Sequence, residues 1–261
     1  MKSLAVVTGA ASGLGLEFSK LLAADSYDLL LVDIDRAGLE EIELDLENRF
    51  GIGVEIHVVD LGRAGAAETI WSHIGNRKID VLINNAGFGL YGFFADTQWH
   101  MEESMLHVHV LTLTHITKLV LTEMLKVGSG RIMNVSSLAA FQPGPLMSVY
   151  YASKAYILSF SEALANEVKG TGVTVTVLTP GWFKTNFQKT TALNSNVEES
   201  KAKLHTATAE KVAVKAYKAM MNGKPLVVPG FNNKLMSEAP RFLPRRVVTS
   251  IIRKIQERLR K

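Results

Sequence analysis

Three side chains in the second half of the sequence have the types and spacing of a proton-transfer site. Tyr150 and Lys154 are four residues apart, so their side chains lie on one face if the segment is helical. A free tyrosine has a pKa near ~10, and a neighbouring ammonium lowers that pKa by favouring the phenolate. Ser137 follows a short apolar run and can bond the same substrate oxygen. The set predicts acid–base chemistry at a carbonyl or carbinol, and the alternative is an amphipathic helix with a snorkelling lysine.

A glycine-rich turn near the start of the chain predicts a binding site for the phosphates of a dinucleotide. It joins a short β-branched run to an amphipathic segment, which is the order strand, tight turn, helix. Glycine admits positive φ and lets a ligand approach the main chain, and the N–H groups at a helix start attract phosphate. A turn without a ligand is the alternative, which the strand-to-helix context disfavours. The expected contacts are Gly9, Ser12, Gly13, Leu14 and Gly15.

Acidic residues end the second and third predicted strands and are expected near the adenosine of that dinucleotide. Asp33 can accept hydrogen bonds from both ribose hydroxyls and would repel a 2′-phosphate, which favours NAD. Arg36 follows closely and can accommodate that phosphate, so NADP stays open. Capping of a helix is the other role open to Asp33. Asp60, followed by Leu61, either caps a helix or meets the adenine.

Two later strand ends are expected to hold the rest of the dinucleotide. The Asn-Asn-Ala-Gly run at 84–87 can bond neighbouring loops and let a flat ring lie close, and an Asn-rich turn is the alternative. Proline and glycine at 180–181 turn the chain outward, where backbone groups could hold a carboxamide. The expected contacts are Asn84, Ala86, Gly87, Pro180, Gly181, Phe183 and Thr185, together with Tyr150 and Lys154.

Aromatic residues near these positions predict an apolar substrate. Phe88 and Tyr91 belong to a glycine-spaced aromatic loop, which is either core cover or the floor of a substrate pocket. With Phe141 and Trp182 they indicate a steroid, a retinoid, a lipid or an aromatic ketone. Residues 186–208 are polar and turn-like, which predicts a substrate lid or, alternatively, a surface loop.

The elements that must position these residues alternate along the chain. Continuous apolar runs predict strands, and amphipathic stretches between them predict helices. Such alternation indicates one doubly wound α/β domain of about seven parallel strands with helices on both faces, and ligands bind at the carboxyl ends of such strands. After the run 4–7, the predicted strands are 29–33, 54–60, 81–84, 131–135, 173–178 and 226–228. The predicted helices are 37–50, 64–76, 99–126, 148–169 and 209–221.

Composition excludes several other classes of site. The 261 residues contain no cysteine, which rules out disulfides, thiolate catalysis and cysteine-ligated zinc. His107 and His109 are two apart on a predicted helix and point to different sides, so no metal site is expected. The first apolar run is too short for a signal peptide, and no membrane span is expected, which favours a cytoplasmic protein.

Positive charge is concentrated at the C-terminus. The net charge is +4, but residues 241–261 carry +7 and the rest of the chain −3, which does not support nucleic-acid binding. We therefore divide the chain into a dinucleotide-binding and catalytic domain at 1–230 and a basic amphipathic extension at 231–261. Packing is favoured for the extension, either where it closes the substrate pocket or against a second subunit, and peripheral contact with an anionic membrane is the alternative. Its apolar residues at helical spacing are Val247, Val248, Ile251, Ile252, Ile255 and Leu259.

Taken together, these motifs resemble the short-chain dehydrogenase/reductase family. The resemblance covers the chain from the glycine-rich turn to about residue 228. It implies a Rossmann fold, a nicotinamide cofactor and hydride exchange between a secondary alcohol and a ketone. In that family the residues matching Tyr150, Ser137 and Lys154 transfer the proton, orient the substrate oxygen, and lower the tyrosine pKa while binding the nicotinamide ribose. An acid at the place of Asp33 usually marks NAD.

The resemblance also carries one departure and one expectation about assembly. Where the family commonly has an asparagine that holds a water leading to the lysine, this sequence has His109. We hypothesise that His109 relays protons in its place, and an impaired relay is the alternative. Similar proteins often form homodimers or homotetramers through the long helix and the helix of Tyr150. The alternative to an oxidoreductase is a non-catalytic dinucleotide-binding or membrane-surface protein on the same fold.

Overall fold

A seven-stranded, all-parallel sheet organises the protein, in a computed structural model that describes residues 3–181 and 208–258. Its strand order is β3-β2-β1-β4-β5-β6-β7, so the chain reverses direction across the sheet between β1 and β4. This is the doubly wound α/β fold predicted from the alternation of apolar runs, and the prediction is confirmed. The strands are Leu4–Thr8 (β1), Asp28–Asp33 (β2), Val54–Val58 (β3), Ile79–Asn84 (β4), Gly130–Val135 (β5), Val173–Leu178 (β6) and Leu226–Val227 (β7).

Helices cover both faces of this sheet. The described α-helices are Gly13–Ala24 (α1), Arg36–Phe50 (α2), Ala66–Ile74 (α3), Trp99–Leu106 (α4), Leu113–Val127 (α5), Ser148–Glu167 (α6), Ala209–Met221 (α7), Phe231–Glu238 (α8) and Arg245–Arg258 (α9). Short 3-10 turns span Leu138–Phe141 and Ala239–Phe242. The predicted strand 54–60 is shorter in the structure, because the chain turns at Asp60 and Leu61.

Successive strand residues feed two separate cores, because side chains alternate across a sheet. In β1, Ala5 and Val7 join the core formed with α1, α2 and α7, whereas Leu4 and Val6 join the one formed with α3 and α5. Both faces are thus sealed by apolar side chains. Polar groups that can do chemistry remain at the carboxyl ends of the strands, where the loops to the helices begin.

The predicted helix 99–126 is interrupted in the structure. A π-helical segment, His107–Thr112, separates α4 from α5. The wider turn inserts one extra residue, and such insertions frequently occur at functional sites. It directs His109 into the interior, where the side chain has no exposed surface.

By length and composition, the stretch Trp99–Val127 is the single candidate for a membrane span within the described residues. Ile116, Val120 and Met124 of this stretch are buried against the sheet, as in a core helix, which passes the same test.

Candidate active site

Tyr150, Ser137 and Lys154 meet at the carboxyl end of β5. Helix α6 begins at Ser148, so Tyr150 lies in its first turn and Lys154 one turn further on. Ser137 follows β5, and its side chain is hydrogen-bonded to that of Tyr150. The Lys154 ammonium lies 5.7 Å from the centroid of the Tyr150 ring and donates to the backbone carbonyl of Val135 at 3.1 Å. The structure therefore brings together the three residues that sequence spacing grouped.

Burial decides the protonation of this centre. It lowers the pKa of Lys154 to about 7, because an ammonium away from water is disfavoured. It raises the pKa of Tyr150, and the hydrogen bond from Ser137 only partly opposes that rise. Burial therefore dominates the pKa of Tyr150, and the lowering expected from Lys154 stays a prediction. Tyr150 is a neutral phenol here, which can donate a proton to a substrate oxygen.

His109 lies behind the centre with both ring nitrogens bonded. Ser153 donates its hydroxyl to the backbone carbonyl of Tyr150 at 2.8 Å, so its oxygen accepts from His109 Nδ1 at 2.8 Å. The remaining lone pair on Nε2 accepts from the backbone N–H of Phe88 at 3.3 Å. This network assigns a neutral imidazole with its proton on Nδ1. Burial first, and the Lys154 charge second, hold the pKa of His109 well below its usual value.

The glycine-rich turn packs closely against the loop after β4. A Cβ on Gly9 would lie 2.7 Å from the Cα of Ala86, and one on Gly15 would lie 1.9 Å from the Gly9 carbonyl oxygen. Gly9 and Gly13 also have φ values of 65° and 57°, which favour glycine. Larger residues would push the turn away from the sheet end.

The start of α1 fits the phosphates of a dinucleotide. Ser12 is the N-cap residue, yet its exposed side chain makes no capping hydrogen bond within the described part of the chain. The first turn, which contains Gly13, Leu14 and Gly15, has no acidic residue. Its N–H groups have no partner inside the helix, and they and the helix dipole attract an anion. These residues therefore suit a pyrophosphate by chemistry as well as by shape.

Asp33 connects the end of β2 to this turn. Its Oδ2 accepts from the backbone N–H of Ala11 at 2.9 Å, and its Oδ1 accepts from Ile34 and Asp35 at 2.7 and 3.1 Å. The helix cap at α2 is Asp35, whose side chain accepts from Gly38. The carboxylate of Asp33 is thus fixed beside the glycine-rich turn. Arg36 is exposed and pairs with Glu40 at 3.6 Å.

The side-chain amides of Asn84 and Asn85, at the end of β4, connect the neighbouring strands and loops of the site. Asn84 is buried, and its Nδ2 donates to Asn134 and to Thr117, both at 2.9 Å. Its side chain therefore lies within the sheet network rather than on the open side. Asn85 donates to the carbonyls of Thr8 and Gly9 at 3.1 and 3.0 Å.

The expectation that the Asn-Asn run bonds neighbouring loops is confirmed by these Asn85 contacts, whereas the part played by the Thr8 hydroxyl was not predicted. The Thr8 hydroxyl accepts from the backbone N–H groups of Asn85 and Ala86 at 3.1 and 3.2 Å. Gly87 completes this loop, since a Cβ there would lie 2.6 Å from His109 Nε2 and 3.3 Å from Lys154 Nζ. The adjacency of two amides at a strand end was the available signal.

The remaining expected cofactor contacts divide into two groups. Asp60 accepts from the backbone N–H of Gly62 at 2.9 Å and pairs with Arg63, while Leu61 is buried and its carbonyl accepts from Thr112. The Pro180 carbonyl accepts from the N–H of Leu138 at 3.0 Å, and a Cβ on Gly181 would lie 2.6 Å from Asn233 Nδ2. Trp182, Phe183, Thr185 and residues 186–207 of the expected lid lie outside the described residues. Thr208, the last residue of the expected lid, is the N-cap of α7.

On the substrate side the structure separates the expected aromatics. Phe88 and Tyr91 pack with Tyr150 and Tyr151, next to an open cleft of about 310 Å³ that Tyr91 helps to line. Phe141 packs instead with Leu113 and Ile157 in a different cluster. Phe88 and Tyr91 therefore border the catalytic centre, and Phe141 supports the neighbouring core.

Helix α9 closes this side, which sequence reasoning proposed only as one alternative. Ile252 packs in the cluster of Tyr150 and Tyr151. The Gln256 backbone carbonyl accepts from the Tyr91 hydroxyl at 2.9 Å, and its Nε2 donates to the Tyr151 hydroxyl at 2.7 Å. Gln256 is 2% exposed. It was not among the expected site residues, because a glutamine in a basic helix carries no local signal of such a contact.

Comparison with known proteins agrees with this geometry. Residues 3–196 match the family described as short chain dehydrogenase. A very-long-chain 3-oxoacyl-CoA reductase of Laccaria bicolor is 33% identical over 175 residues, covering 66% of this chain and 52% of the relative. A human 17-beta-hydroxysteroid dehydrogenase type 3 is 33% identical over 200 residues, covering 76% and 64%. The chain thus spans about half to just under two thirds of the length of these relatives.

Solved structures share the whole fold. A structure described in a study of 7beta-hydroxysteroid dehydrogenase stereoselectivity has a TM-score of 0.87 at 25% identity, and 96% of each chain is covered. A Sphingobium yanoikuyae short-chain dehydrogenase in complex with NADPH has a TM-score of 0.81 at 24% identity, covering 92% of this chain and 91% of that one. A Burkholderia phymatum short-chain dehydrogenase/reductase in complex with NAD has a TM-score of 0.83 at 21% identity, covering 92% and 93%. Because their identities are 24% and 21%, the last two structures show similarity of fold alone.

The chain belongs to the short-chain dehydrogenase family of oxidoreductases. The family and the fit of the glycine-rich turn support a nicotinamide dinucleotide as cofactor. Its members act on small-molecule alcohols or carbonyl compounds.

Proposed function

We propose that the protein transfers a hydride between a nicotinamide cofactor and a secondary alcohol or ketone. The observation that carries the proposal is the Ser137–Tyr150 hydrogen bond, with Lys154 behind it, at the same sheet edge as the open start of α1. When bound, the dinucleotide supplies or accepts the hydride. The chain's own residues are the candidates for donating the proton, holding the substrate oxygen and stabilising the phenolate that remains.

Proton movement in the reduction direction runs from the Tyr150 hydroxyl to the substrate oxygen. The neutral phenol is the acid, and Ser137 holds the same oxygen in place by hydrogen bonding. The positive charge of Lys154 stabilises the phenolate that remains, since it lies on the side of the ring at 5.7 Å. A ketone thus gains the hydride at carbon and the proton at oxygen. The reverse sequence oxidises the alcohol.

We propose NAD rather than NADP as the preferred cofactor. The Asp33 carboxylate accepts from the N–H of Ala11 in the glycine-rich turn, and an acid at this strand end suits two ribose hydroxyls and repels a 2′-phosphate. The Arg36 guanidinium pairs with the Glu40 carboxylate at 3.6 Å, so its charge is partly neutralised within the protein. Titration of the protein with NADH and NADPH, followed by cofactor fluorescence, tests this choice. Tighter binding of NADPH would contradict it.

We propose an apolar substrate, such as a steroid, a retinoid, a lipid or an aromatic carbonyl compound. Support comes from Phe88, Tyr91 and Ile252 beside the centre and from the steroid and very-long-chain acyl compounds in the relatives' names. Trp182 is proposed to contact the same substrate. A panel of ketones and secondary alcohols, followed by absorbance of reduced cofactor, tests the reaction class. Cofactor binding without turnover of any of them would favour a non-catalytic dinucleotide-binding protein instead.

We further propose a homodimer or homotetramer in the cytoplasm. Leu111 and Tyr156 are 55% and 38% exposed, and Tyr156 stacks on Phe160 along the outer side of α6. This leaves an apolar strip on the long helix and the helix of Tyr150 for contact with a second copy. Light scattering in solution tests the assembly, and cell fractionation tests the location.

A further inference from the structure

Helix α9 is apolar on two different sides. Its inner face carries Val248, Ile252 and Gln256, spaced by four residues, and this face covers the catalytic cluster. A second row, Val247, Ile251 and Ile255, has the same spacing but is offset by one residue. On a helix that offset turns it by about 100° from the inner face. Covering the site therefore does not explain the second row.

This second row is open to solvent in the structure. Val247, Ile251 and Ile255 are each 45% exposed. Directly before the helix, Phe242 is 83% exposed and Leu243 is 44% exposed. Five large apolar side chains thus stand open along 14 residues of chain. Single exposed apolar residues need no explanation, but a run of this kind indicates a contact surface.

The charges around this row are almost all positive. Residues 231–258 contain seven Lys or Arg and two Glu. Both acids are already paired, Glu238 with Arg241 at 2.9 Å and Glu257 with Arg253 at 2.8 Å. The other cations have no acidic partner within the described ranges, and they are Lys234, Arg245, Arg246, Lys254 and Arg258.

We propose that Phe242, Leu243 and the row Val247–Ile251–Ile255 form a surface that docks on an anionic lipid bilayer. An apolar row flanked by unpaired cations fits a membrane interface, where the row enters the acyl boundary and the cations meet lipid phosphates. The inner face of the same helix covers the proposed substrate site through Ile252 and Gln256. Docking thus brings that site to the phase in which an apolar substrate dissolves.

A second copy of the chain fits this surface less well. A two-fold contact sets the same patch against itself, so the net charge of +5 on residues 231–258 would face an equal charge. An anionic bilayer offers the opposite sign across the whole patch.

Vesicle flotation of the full-length protein tests the proposal. Vesicles of phosphatidylcholine alone are compared with vesicles containing about a third phosphatidylserine, at low and high salt. The row variant is V247S/I251S/I255S, and the matched control is L44S/L125S/V127S, whose residues are 64%, 42% and 54% exposed. We expect binding to anionic vesicles only, at least tenfold weaker in the row variant and within twofold of the parent in the control. Circular dichroism checks that each variant is folded.

A charge variant, R246Q/K254Q, separates the two contributions. It is expected to weaken binding and to reduce its dependence on salt. Equal binding of parent and row variant, absence of binding, or equal binding to neutral vesicles would overturn the proposal. So would a shift from oligomer to monomer in the row variant by light scattering, because the surface would then join two copies. Turnover of a water-soluble ketone is measured in parallel, so that failure of the proposed reaction is seen separately from failure of docking.

Discussion

The two sides of the site are built differently. On the catalytic side, Lys154, His109, Asn84 and Asn85 each have protein partners, and all sit at strand ends or on helices packed against the sheet. On the substrate side, the loop of Phe88 and Tyr91 meets a helix from the far end of the chain. There, few polar contacts connect the parts, and the chief ones involve Gln256. The proposed proton-transfer residues therefore lie in a hydrogen-bonded frame at the sheet end, whereas the proposed substrate side includes a helix from the far end of the chain.

The sharpest test of the catalytic side removes one oxygen. Tyr150→Phe keeps the ring but deletes the proton donor, so kcat should fall by roughly 10²–10⁴ while the cofactor Kd stays unchanged. Tyr151→Phe is the matched control from the substrate side, and it should change KM rather than kcat. Steady-state kinetics and fluorescence titration measure both. If Tyr150→Phe reduced ketones as fast as the parent, the catalytic assignment would be wrong.

Burial of the Lys154 ammonium should reduce the free energy of unfolding of the protein. Its folded pKa of about 7 lies below the ordinary value of 10.5, so between these pH values the unfolded chain binds more protons. The free energy of unfolding of the parent should therefore rise as pH increases from 7 to about 10.5 and be lowest below pH 7. Lys154→Met should lack this rise and be more stable at pH 7 by on the order of a few kcal/mol, while losing activity.

Urea unfolding at several pH values measures this difference. Lys126→Met is the control, since Lys126 is exposed on α5 and, among the described residues, pairs with Glu123 alone. A Lys154→Met protein with the same pH dependence as the parent would show that Lys154 is not shifted by burial.

His109 distinguishes a proton relay from a positioning role. Both ring nitrogens bond to protein groups, so we expect His109 to hold the loop of Phe88 and the start of α6 rather than to carry protons. His109→Ala should lose about 1–3 kcal/mol of unfolding free energy, because it leaves the N–H of Phe88 unpaired. The pH profile of kcat should keep its shape in His109→Ala and His109→Asn. A profile that loses a pKa in both variants would restore the relay.

Gln256 gives the smallest predicted effect and tests the substrate side. Gln256→Ala deletes the bond to the Tyr151 hydroxyl at a cost of about 1 kcal/mol. The KM for an apolar ketone should rise several-fold, with kcat and the cofactor Kd little changed. Glu257→Ala, at the exposed neighbouring position, is the control. An equal effect of both substitutions would mean that α9 influences the protein only through its general stability.

The features predicted correctly from the sequence are those set by local backbone geometry, and the features missed depend on contacts between distant residues. Glycine positions, the four-residue spacing of Tyr150 and Lys154, and the polar residues after strands could be read locally, because each depends on backbone geometry within a few residues. Strand 173–178 and helix 209–221 have the predicted bounds for the same reason. The π-helical segment at 107–112 could not be read, since it depends on what His109 contacts 21 and 44 residues away.

The amino-acid sequence alone determined the class of fold and the candidate residues for proton transfer, because periodicity and short spacings encode both. Tertiary structure decided the surroundings of these residues, since burial raises the pKa of Tyr150 and brings the pKa of Lys154 to about 7. It also decided which face of α9 covers the site and which remains open. The orientation of α9 depends on the contacts of Gln256 with Tyr91 and Tyr151, which lie 165 and 105 residues earlier in the chain.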